Sequence, residues 1–338
     1  MMGQDTHEVE RKVVAILRVL SDSPQPLGGR LIARRLNNLG IDLGERAVRY
    51  HLKLMDERGF TRLAGRRDGR LITPSGLEEL KSALITDRVG LVIDKIELLA
   101  YQTSFCPEDL GGQLPVNLSL FRKEEFGQAV EAMKEVFRAG LCVSDLVAVA
   151  VAGQRLGETT VPEGDIGLVT VSSIAVSALL LKAGVPLDPR FGGILQIRNH
   201  KPLRFTELIE YSGCSLDPAE VFIAGKMTSV SEVAARGEGK IVANFYEFPT
   251  PCRPVAETVI GKLGKTGLGG LVMIGETSEP LCEIPVRSSK VGMILQSGLN
   301  PIAAAAEAGI QVTNHAMSGV IDFRKLKPFW NIQVAEGR

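Results

Sequence analysis

The chain has 338 residues, of which 45% are hydrophobic, and its 39 basic side chains balance 39 acidic ones. This length predicts more than one hydrophobic core, and we place the domain boundary between residues 1–86 and 87–338. No apolar run approaches the roughly 20 residues of a membrane span, and the N-terminus is too polar for a signal peptide, so we expect a cytoplasmic protein without a membrane partner. The five cysteines form no Cys-x-x-Cys pair, which argues against a zinc ribbon and a disulfide framework.

The balanced charge is distributed unevenly along the chain. Between Leu27 and Thr73 there are eleven Lys and Arg residues but only five Asp and Glu residues. The rest of the chain is correspondingly acidic. A basic first module followed by an acidic body favours an anionic partner that binds one end of the molecule.

Apolar residues at helical spacing predict three helices near the N-terminus, over residues 8–20, 27–38 and 45–58. Two short strands are predicted over 60–63 and 70–73, on either side of an Asp-Gly hairpin signal. Three helices followed by a basic hairpin form a winged helix, whose third helix enters the major groove of DNA while the hairpin lies on the phosphates. A Ser-x-x-Glu capping box then predicts a fourth helix, which begins at Ser75 and joins this module to the rest.

The third predicted helix has one apolar face and one cationic face. Val48, Leu52 and Met55 form the face that packs. The predicted DNA-binding residues are Arg46, Arg49, Tyr50 and Lys53 of this helix and Arg66, Arg67 and Arg70 of the hairpin tip, with His51 as a further candidate for reading bases. The alternative is a protein-interaction winged helix whose charged face is only solvated.

From Val89 onward, apolar strand-like runs alternate with helical stretches. The predicted strands cover residues 116–120, 146–150, 167–171, 193–197, 221–224, 240–245, 271–274 and 291–295, and the predicted helices cover 122–139, 174–183, 205–211, 230–235, 256–263 and 301–308. This alternation predicts an α/β domain with a mixed sheet. Two Ala-rich helices that follow strands and end in Ala-Gly-Val185 and Ala-Gly-Ile310 suggest two related lobes with a cleft between them, although chance similarity explains them nearly as well.

Two strand-to-helix turns of this domain suit an anion, because hydroxyl groups and free backbone N–H groups meet at a helix N-terminus. One turn contains Ser172 and Ser173, and the other contains Asn300 as N-cap before Pro301. The candidate effector-binding residues are Ser172, Ser173, Arg198, Arg253, Arg287, Asn300 and His315. Both turns are also ordinary structural connections, which is the competing interpretation.

Enzyme motifs are incomplete in this sequence. Gly264-Lys265-Thr266 resembles the end of a P-loop, but Val259 stands where the first glycine is required, and a strand-like run follows in place of the helix. The four histidines have no His-x-x-x-His spacing, and there is no Gly-x-Ser-x-Gly elbow. We therefore predict no catalytic residue, no metal and no cofactor. Two rival classes stay open, an α/β enzyme with a winged helix for docking and an architectural DNA binder without a ligand.

Several segments together resemble the NrpR family of nitrogen-responsive transcriptional repressors. The winged helix carries Leu43-Gly-Glu-Arg-Ala-Val-Arg-Tyr-His-Leu-Lys-Leu-Met-Asp-Glu-Arg-Gly59. The regulatory domain carries Gly167-Leu-Val-Thr-Val-Ser-Ser173, Asn244-Phe-Tyr-Glu-Phe-Pro249 and Gly298-Leu-Asn-Pro301, and it is present in a single copy.

The resemblance implies a homodimeric repressor that binds an inverted-repeat operator on double-stranded DNA at nitrogen-assimilation promoters. It also implies release by 2-oxoglutarate, a dicarboxylate that accumulates when nitrogen is short. The anion-suited turns agree with a dicarboxylate effector. Family members with two tandem regulatory domains leave the oligomeric state of this single-domain chain open.

Overall fold

The computed structural model describes residues 2–21, 23, 25–38, 41, 43–65, 69–82, 91–157 and 159–332. The chain divides into two compact units, Met1–Arg88 and Val89–Arg338. The predicted boundary between residues 86 and 87 lies outside the described residues. No helix of the described residues is long and apolar enough to cross a membrane.

The described part of the first unit contains four helices and a two-stranded hairpin. Its elements are α1 Met2–Ser21, α2 Gly29–Asn38, α3 Glu45–Glu57, β1 Thr61–Leu63, β2 Arg70–Ile72 and α4 Pro74–Ser82. The apolar faces of α1, α2 and α3 form one core, in which Val48, Leu52 and Met55 are fully buried, as their spacing predicts. The strands pair antiparallel, and Leu27 forms a further antiparallel bridge to Arg70. The predicted winged-helix order of elements is confirmed.

Helix α4 begins one residue earlier than its predicted capping box. The Gly76 N–H donates to Oγ1 of Thr73 over 3.0 Å, and Pro74 occupies the first helical position. Thr73 therefore caps the helix in place of Ser75. Pro74 suits the first helical position because a proline has no N–H to leave unsatisfied there.

The second unit contains two five-stranded sheets covered by helices. Its described helices are α5 Leu91–Gln102, α6 Phe126–Arg138, α7 Ile174–Lys182, α8 Pro218–Ala224, α9 Val230–Arg236, α10 Arg253–Gly264 and α11 Asn300–Glu307. Its described strands are β3 Gln113–Arg122, β4 Leu146–Ala150, β5 Arg155–Leu156, β6 Thr159–Thr160, β7 Asp165–Val171, β8 Asp188–Arg198, β9 Lys201–Glu210, β10 Gly239–Pro249, β11 Leu271–Thr277, β12 Lys290–Gln296, β13 Val312–Asp322 and β14 Lys327–Pro328.

The two sheets have the same topology. The strand orders are β13-β3-β7-β4-β14 and β8-β10-β12-β11, with β9 outside β8. Each half of the unit runs strand, helix, strand, strand, helix, strand, as in ferredoxin-like folds. The fourth strand, however, joins the sheet of the other half: β8 pairs with β10, and β13 pairs with β3. The halves thus exchange one strand each, as two related lobes would.

This architecture confirms an α/β fold behind an N-terminal winged helix. All strand pairings among the described residues are antiparallel, where a mixed sheet was expected. The reason is that the strands joined by a helix crossover, β3 and β4, are separated by β7 and do not pair with each other. The exchange of strands also explains why both major clusters of buried apolar residues draw on both sheets.

Two predicted elements have the wrong type, and several described elements were missed. Residues 205–211 belong mostly to strand β9, and residues 221–224 end helix α8. Helix α8 forms because Asp217 accepts hydrogen bonds from the Ala219 and Glu220 N–H groups, with Pro218 at the first helical position. Helix α5 and strand β13 were not anticipated.

Candidate functional sites

The cationic face of α3 is open to solvent. Arg46, Arg49, Tyr50 and Lys53 are all exposed, with Tyr50 at 61%. An N–H of Arg49 donates to Glu45 over 2.5 Å, and Lys53 lies 4.0 Å from Glu57. Exposed pairs of this kind contribute about 0.5 kcal/mol, so a phosphate can replace either carboxylate at little cost. The four predicted side chains of the helix thus lie together on one accessible surface.

The structure corrects two of the other predicted DNA contacts. Arg70 is the first residue of β2 and not part of the tip, and its Nε donates to Asp56 over 2.8 Å while Arg70 is largely buried. His51 lies on the packed side of α3 at 6% exposure, and burial followed by Lys12 lowers its pKa. Arg70 thus joins β2 to α3 through its ion pair with Asp56, and His51 packs on the buried side of α3. Arg66 and Arg67 lie outside the described residues.

Two arginines of α2 extend the cationic surface, and the sequence analysis missed them. Arg30 and Arg34 are exposed, one turn apart, and pair with no carboxylate among the described residues. The side chain of Arg49 lies over the start of α2, since a Cβ built on Gly29 would come within 3.1 Å of Arg49 Cγ. Their helical spacing was visible in the sequence, but only packing shows that α2 and α3 bring these charges together.

In the second unit, a small polar cavity of about 20 Å³ lies where the two halves exchange strands. Such a volume holds about one water molecule. The polar residues that line it are Asn117, Ser172, Ser173, Tyr211, Asp217, Asn244, Tyr246 and Ser297, and the backbone of Gly298 approaches it. All three segments that carry the family resemblance contribute to this lining.

Equivalent turns of the two halves bring hydrogen-bond donors into the cavity. Ser172 and Ser297 each follow the last residue of a strand, β7 and β12, and are at least 95% buried. Each hydroxyl oxygen accepts an N–H from two residues further on, Ile174 or Leu299, and donates its proton to no acceptor among the described residues. Buried donors of this kind beside two helix N-termini are suited to a carboxylate.

Two asparagines at equivalent positions of β3 and β10 complete the cavity. Asn244 accepts from Tyr211 OH over 2.7 Å and donates to Ser173 Oγ over 2.9 Å. Asn117 Oδ1 accepts the Met317 N–H over 3.1 Å, at the irregular stretch of β13 where Met317 has φ 54°. Asn117 therefore ties the cavity wall to the exchanged strand β13, and Asn244 ties it to Tyr211 and to the turn at Ser173.

Asp217 lines the cavity, and Glu220 lies beside Asp217, outside the lining. The carboxylate of Glu220 accepts the Ala316 N–H, and Lys95 Nζ donates to the Ala316 carbonyl over 3.2 Å. Burial raises the pKa of Glu220 to about 7, with Asp217 acting in the same direction and Lys95 opposing it. Burial also raises the pKa of Asp217. Glu220 therefore changes charge near neutral pH.

The raised pKa of Glu220 predicts a pH-dependent stability. The folded state binds a proton more tightly than the unfolded chain, so this contribution is complete below the ordinary pKa of 4.5 and is lost as pH rises through about 7. The variant Glu220→Gln has no titrating group at this position, so it does not lose this stability as pH rises. The free energy of unfolding of the variant, relative to that of the native protein, should therefore be about 1–3 kcal/mol higher at about pH 8 than at about pH 5. Urea unfolding at both pH values measures the difference, and equal gains would contradict the assignment.

The other predicted effector residues are not at the cavity. Arg253 bonds to Glu257 and Glu276, Arg287 bonds to Glu247 and Asp188, and Arg198 lies at the exposed end of β8. These three arginines therefore do not converge, because each lies on a different surface element. Only Ser172 and Ser173 of the predicted set line the cavity.

Asn300 and His315 also have roles other than those expected. The Asn300 side chain bonds both backbone groups of Val242, accepting over 2.9 Å and donating over 3.1 Å, so it joins α11 to β10 and caps nothing. His315 is half-buried on β13, and burial followed by Lys95 lowers its pKa. Among the described residues, no group of three or more His, Cys, Asp or Glu side chains could hold a metal ion.

Comparisons with known proteins match both units. The profile of the NrpR regulatory domains NRD1 and 2 matches residues 89–328, and the profile of the ribonuclease R winged-helix domain matches residues 14–80. A crystal structure of a nitrogen repressor-like protein from Methanococcus jannaschii superimposes with a TM-score of 0.60 and 27% identity, over 70% of this chain and 98% of that one.

Full-length relatives are similar along nearly the whole chain. Global nitrogen regulator NrpRI of Methanosarcina mazei is 42% identical over 95% of this chain and 98% of its own length. Global nitrogen regulators NrpR of Methanococcus maripaludis and Methanocaldococcus jannaschii are 31% and 32% identical over 96% and 94% of this chain. The chain spans only 57% and 55% of those two longer relatives.

A winged-helix unit with an exposed cationic helix, joined to an α/β regulatory unit, defines a DNA-binding transcription regulator. The relatives are named as regulators and not as enzymes. With the regulatory profile covering most of the chain and 42% identity to a full-length relative, the chain belongs to the NrpR family of nitrogen regulators.

Proposed function

We propose that this protein is a cytoplasmic, homodimeric repressor of nitrogen-assimilation genes that leaves its operator when 2-oxoglutarate binds the regulatory unit. The observation that carries the effector half of the proposal is the donor-lined cavity between the equivalent turns at Ser172 and Ser297. Paired donors at two helix N-termini match a carboxylate better than a cation or an apolar ligand.

The DNA half of the proposal rests on the exposed surface of α2 and α3. A homodimer places two such surfaces on an inverted repeat, with half-sites about 34 Å apart for one helical turn of DNA. Arg and Lys supply affinity through the phosphates, and Arg46, Arg49 and Tyr50 are positioned to meet base edges.

Effector binding and operator binding are connected by thermodynamic linkage. An effector that binds the DNA-incompetent form more tightly weakens operator binding by the same factor that the operator weakens effector binding. The cavity in this conformation has room for about one water molecule, so 2-oxoglutarate binds only if the wall opens. The conformation described here is therefore the effector-free form in this proposal.

Calorimetric titration of 2-oxoglutarate into the purified protein, with and without an operator fragment selected from random duplexes, tests the proposal. We expect saturable binding that is about 5- to 150-fold weaker in the presence of the operator. The variant Ser172→Ala with Ser297→Ala should lose most of this binding while keeping operator affinity. If operator binding is intact and no heat is detected with the native protein, the effector assignment fails and a ligand-independent DNA binder is left.

A further inference from the structure

A groove of about 730 Å³ lies next to the small cavity. The groove runs between α5 and the C-terminal half of α7 and reaches the start of β8 and β12. Ile96 of α5 and Tyr246 of β10 line both the groove and the cavity, so these two side chains form the wall that separates them. Burial raises the pKa of Tyr246 to about 12, so the wall carries a neutral phenol.

The groove supplies the cations that the cavity lacks. No Lys or Arg lines the cavity, whereas Lys182 and Lys290 line the groove. Neither ammonium group pairs with a carboxylate among the described residues. Of the two acidic residues in the groove, Asp188 is bound to Arg287, which leaves only Glu97 to offset the lysines.

We propose that the cavity and the groove are two parts of one dicarboxylate site. One carboxylate binds the donors at Ser172 and Ser297, and the other binds Lys182 and Lys290. Ser173 and Lys182 bracket α7, about 13 Å apart along the helix axis, a span that a five-carbon dicarboxylate and a lysine stem cover together. This inference rests on the proposed effector function and adds the residues that select two carboxylates over one.

The wall must open for such a ligand to bind, and α5 is the element that moves. Helix α5 is attached to β13 by the Lys95 hydrogen bond to the Ala316 carbonyl and by buried apolar residues such as Ile96 and Leu99. In the sequence α5 follows the winged-helix unit. A ligand that displaces α5 therefore acts on the segment of chain joined to the DNA-binding unit.

The test compares two ligands on two proteins by calorimetry, using full-length chains. The ligands are 2-oxoglutarate and 2-oxopentanoate, which has the same carbon chain without the distal carboxylate. The variant is Lys182→Ala with Lys290→Ala, and the control is Lys123→Ala with Lys265→Ala, which removes the same charge from exposed positions outside the groove. We expect the variant to bind 2-oxoglutarate at least 10-fold more weakly than the native protein, and the control to bind it normally.

The affinity for 2-oxopentanoate should be the same in the native protein and the groove variant, because that ligand has no group for the lysines. If the native protein binds 2-oxoglutarate and the groove variant binds it with the same affinity, the bipartite site is overturned and the proposed effector is left intact. Failure of the native protein to bind 2-oxoglutarate would instead overturn the proposed effector. An equal loss of both ligands in the groove variant would also overturn the assignment, since it would place the lysines at the shared carboxylate.

Discussion

Replacing Arg46 and Arg49 by alanine is expected to lower operator affinity by about 100-fold or more. Each arginine contact with a base edge contributes about 1–3 kcal/mol, and about 1.4 kcal/mol corresponds to a factor of ten. Both side chains are exposed on the face of α3 opposite Val48 and Leu52. Fluorescence anisotropy with the selected operator, repeated on a scrambled duplex, measures the loss of affinity and of specificity.

The appropriate control removes the same number of positive charges, but from the regulatory unit instead of the winged-helix unit. Lys123→Ala with Lys265→Ala changes two exposed lysines of the regulatory unit and should leave operator affinity within about twofold, because screened charges outside the contact add little. Thermal unfolding should be the same for all three proteins, since surface substitutions change stability by about 0.5 kcal/mol or less. If the double variant of Arg46 and Arg49 gives the same operator footprint as the native protein, α3 does not read DNA.

Substituting Gly298 by alanine is expected to produce a large loss of stability. A Cβ at this position would lie 2.0 Å from the Val171 carbonyl oxygen and 3.0 Å from Asn117 Nδ2, and neither the strand end nor the buried amide can move away freely. We expect a loss of about 3–5 kcal/mol, the range for forced overlap at buried backbone. For a domain of this size that corresponds to a fall in Tm of roughly 10 °C or more.

Gly261→Ala is the matched control for this substitution. Gly261 lies within α10, and a Cβ there meets no atom within 4 Å. Alanine is a better helix former than glycine by about 1 kcal/mol, so this variant should be slightly more stable than the native protein. If Gly298→Ala has the same Tm as the native protein, the turns at Val171 and Gly298 are not in contact.

Local patterns account for the elements that were predicted well and for those that were not. The stripe Val48, Leu52 and Met55 repeats at helical spacing, so α3 could be located from sequence. Residues 205–211 have apolar spacing that fits a helix as well, and they are a strand because β8 supplies hydrogen-bond partners along their length. The Asp217-Pro218 pair is a helix-start signal that the short apolar run after it obscured.

The candidate sites divide in the same way. Exposure on α3 follows from periodicity within one helix, which is why its four cationic and aromatic positions could be chosen without a structure. Arg70 and His51 were misjudged because their roles depend on Asp56 and on the packed core, contacts that no local spacing reveals. Asn117, Asn244 and Tyr246 were not chosen as site residues, although two of them lie in the segment Asn244-Phe-Tyr-Glu-Phe-Pro249 that carried the family resemblance.

The sequence by itself determined the winged helix, its cationic face, the α/β character of the second unit and the family. These properties depend on residue types at short, regular spacing, and neighbouring residues set them through helix and strand periodicity. Only the tertiary structure decided that β8 and β13 are exchanged between the halves, and that Ser172 and Ser297 consequently line one cavity. Contacts between residues more than a hundred positions apart depend on which strands pair, and side-chain patterns along one strand do not specify its partner.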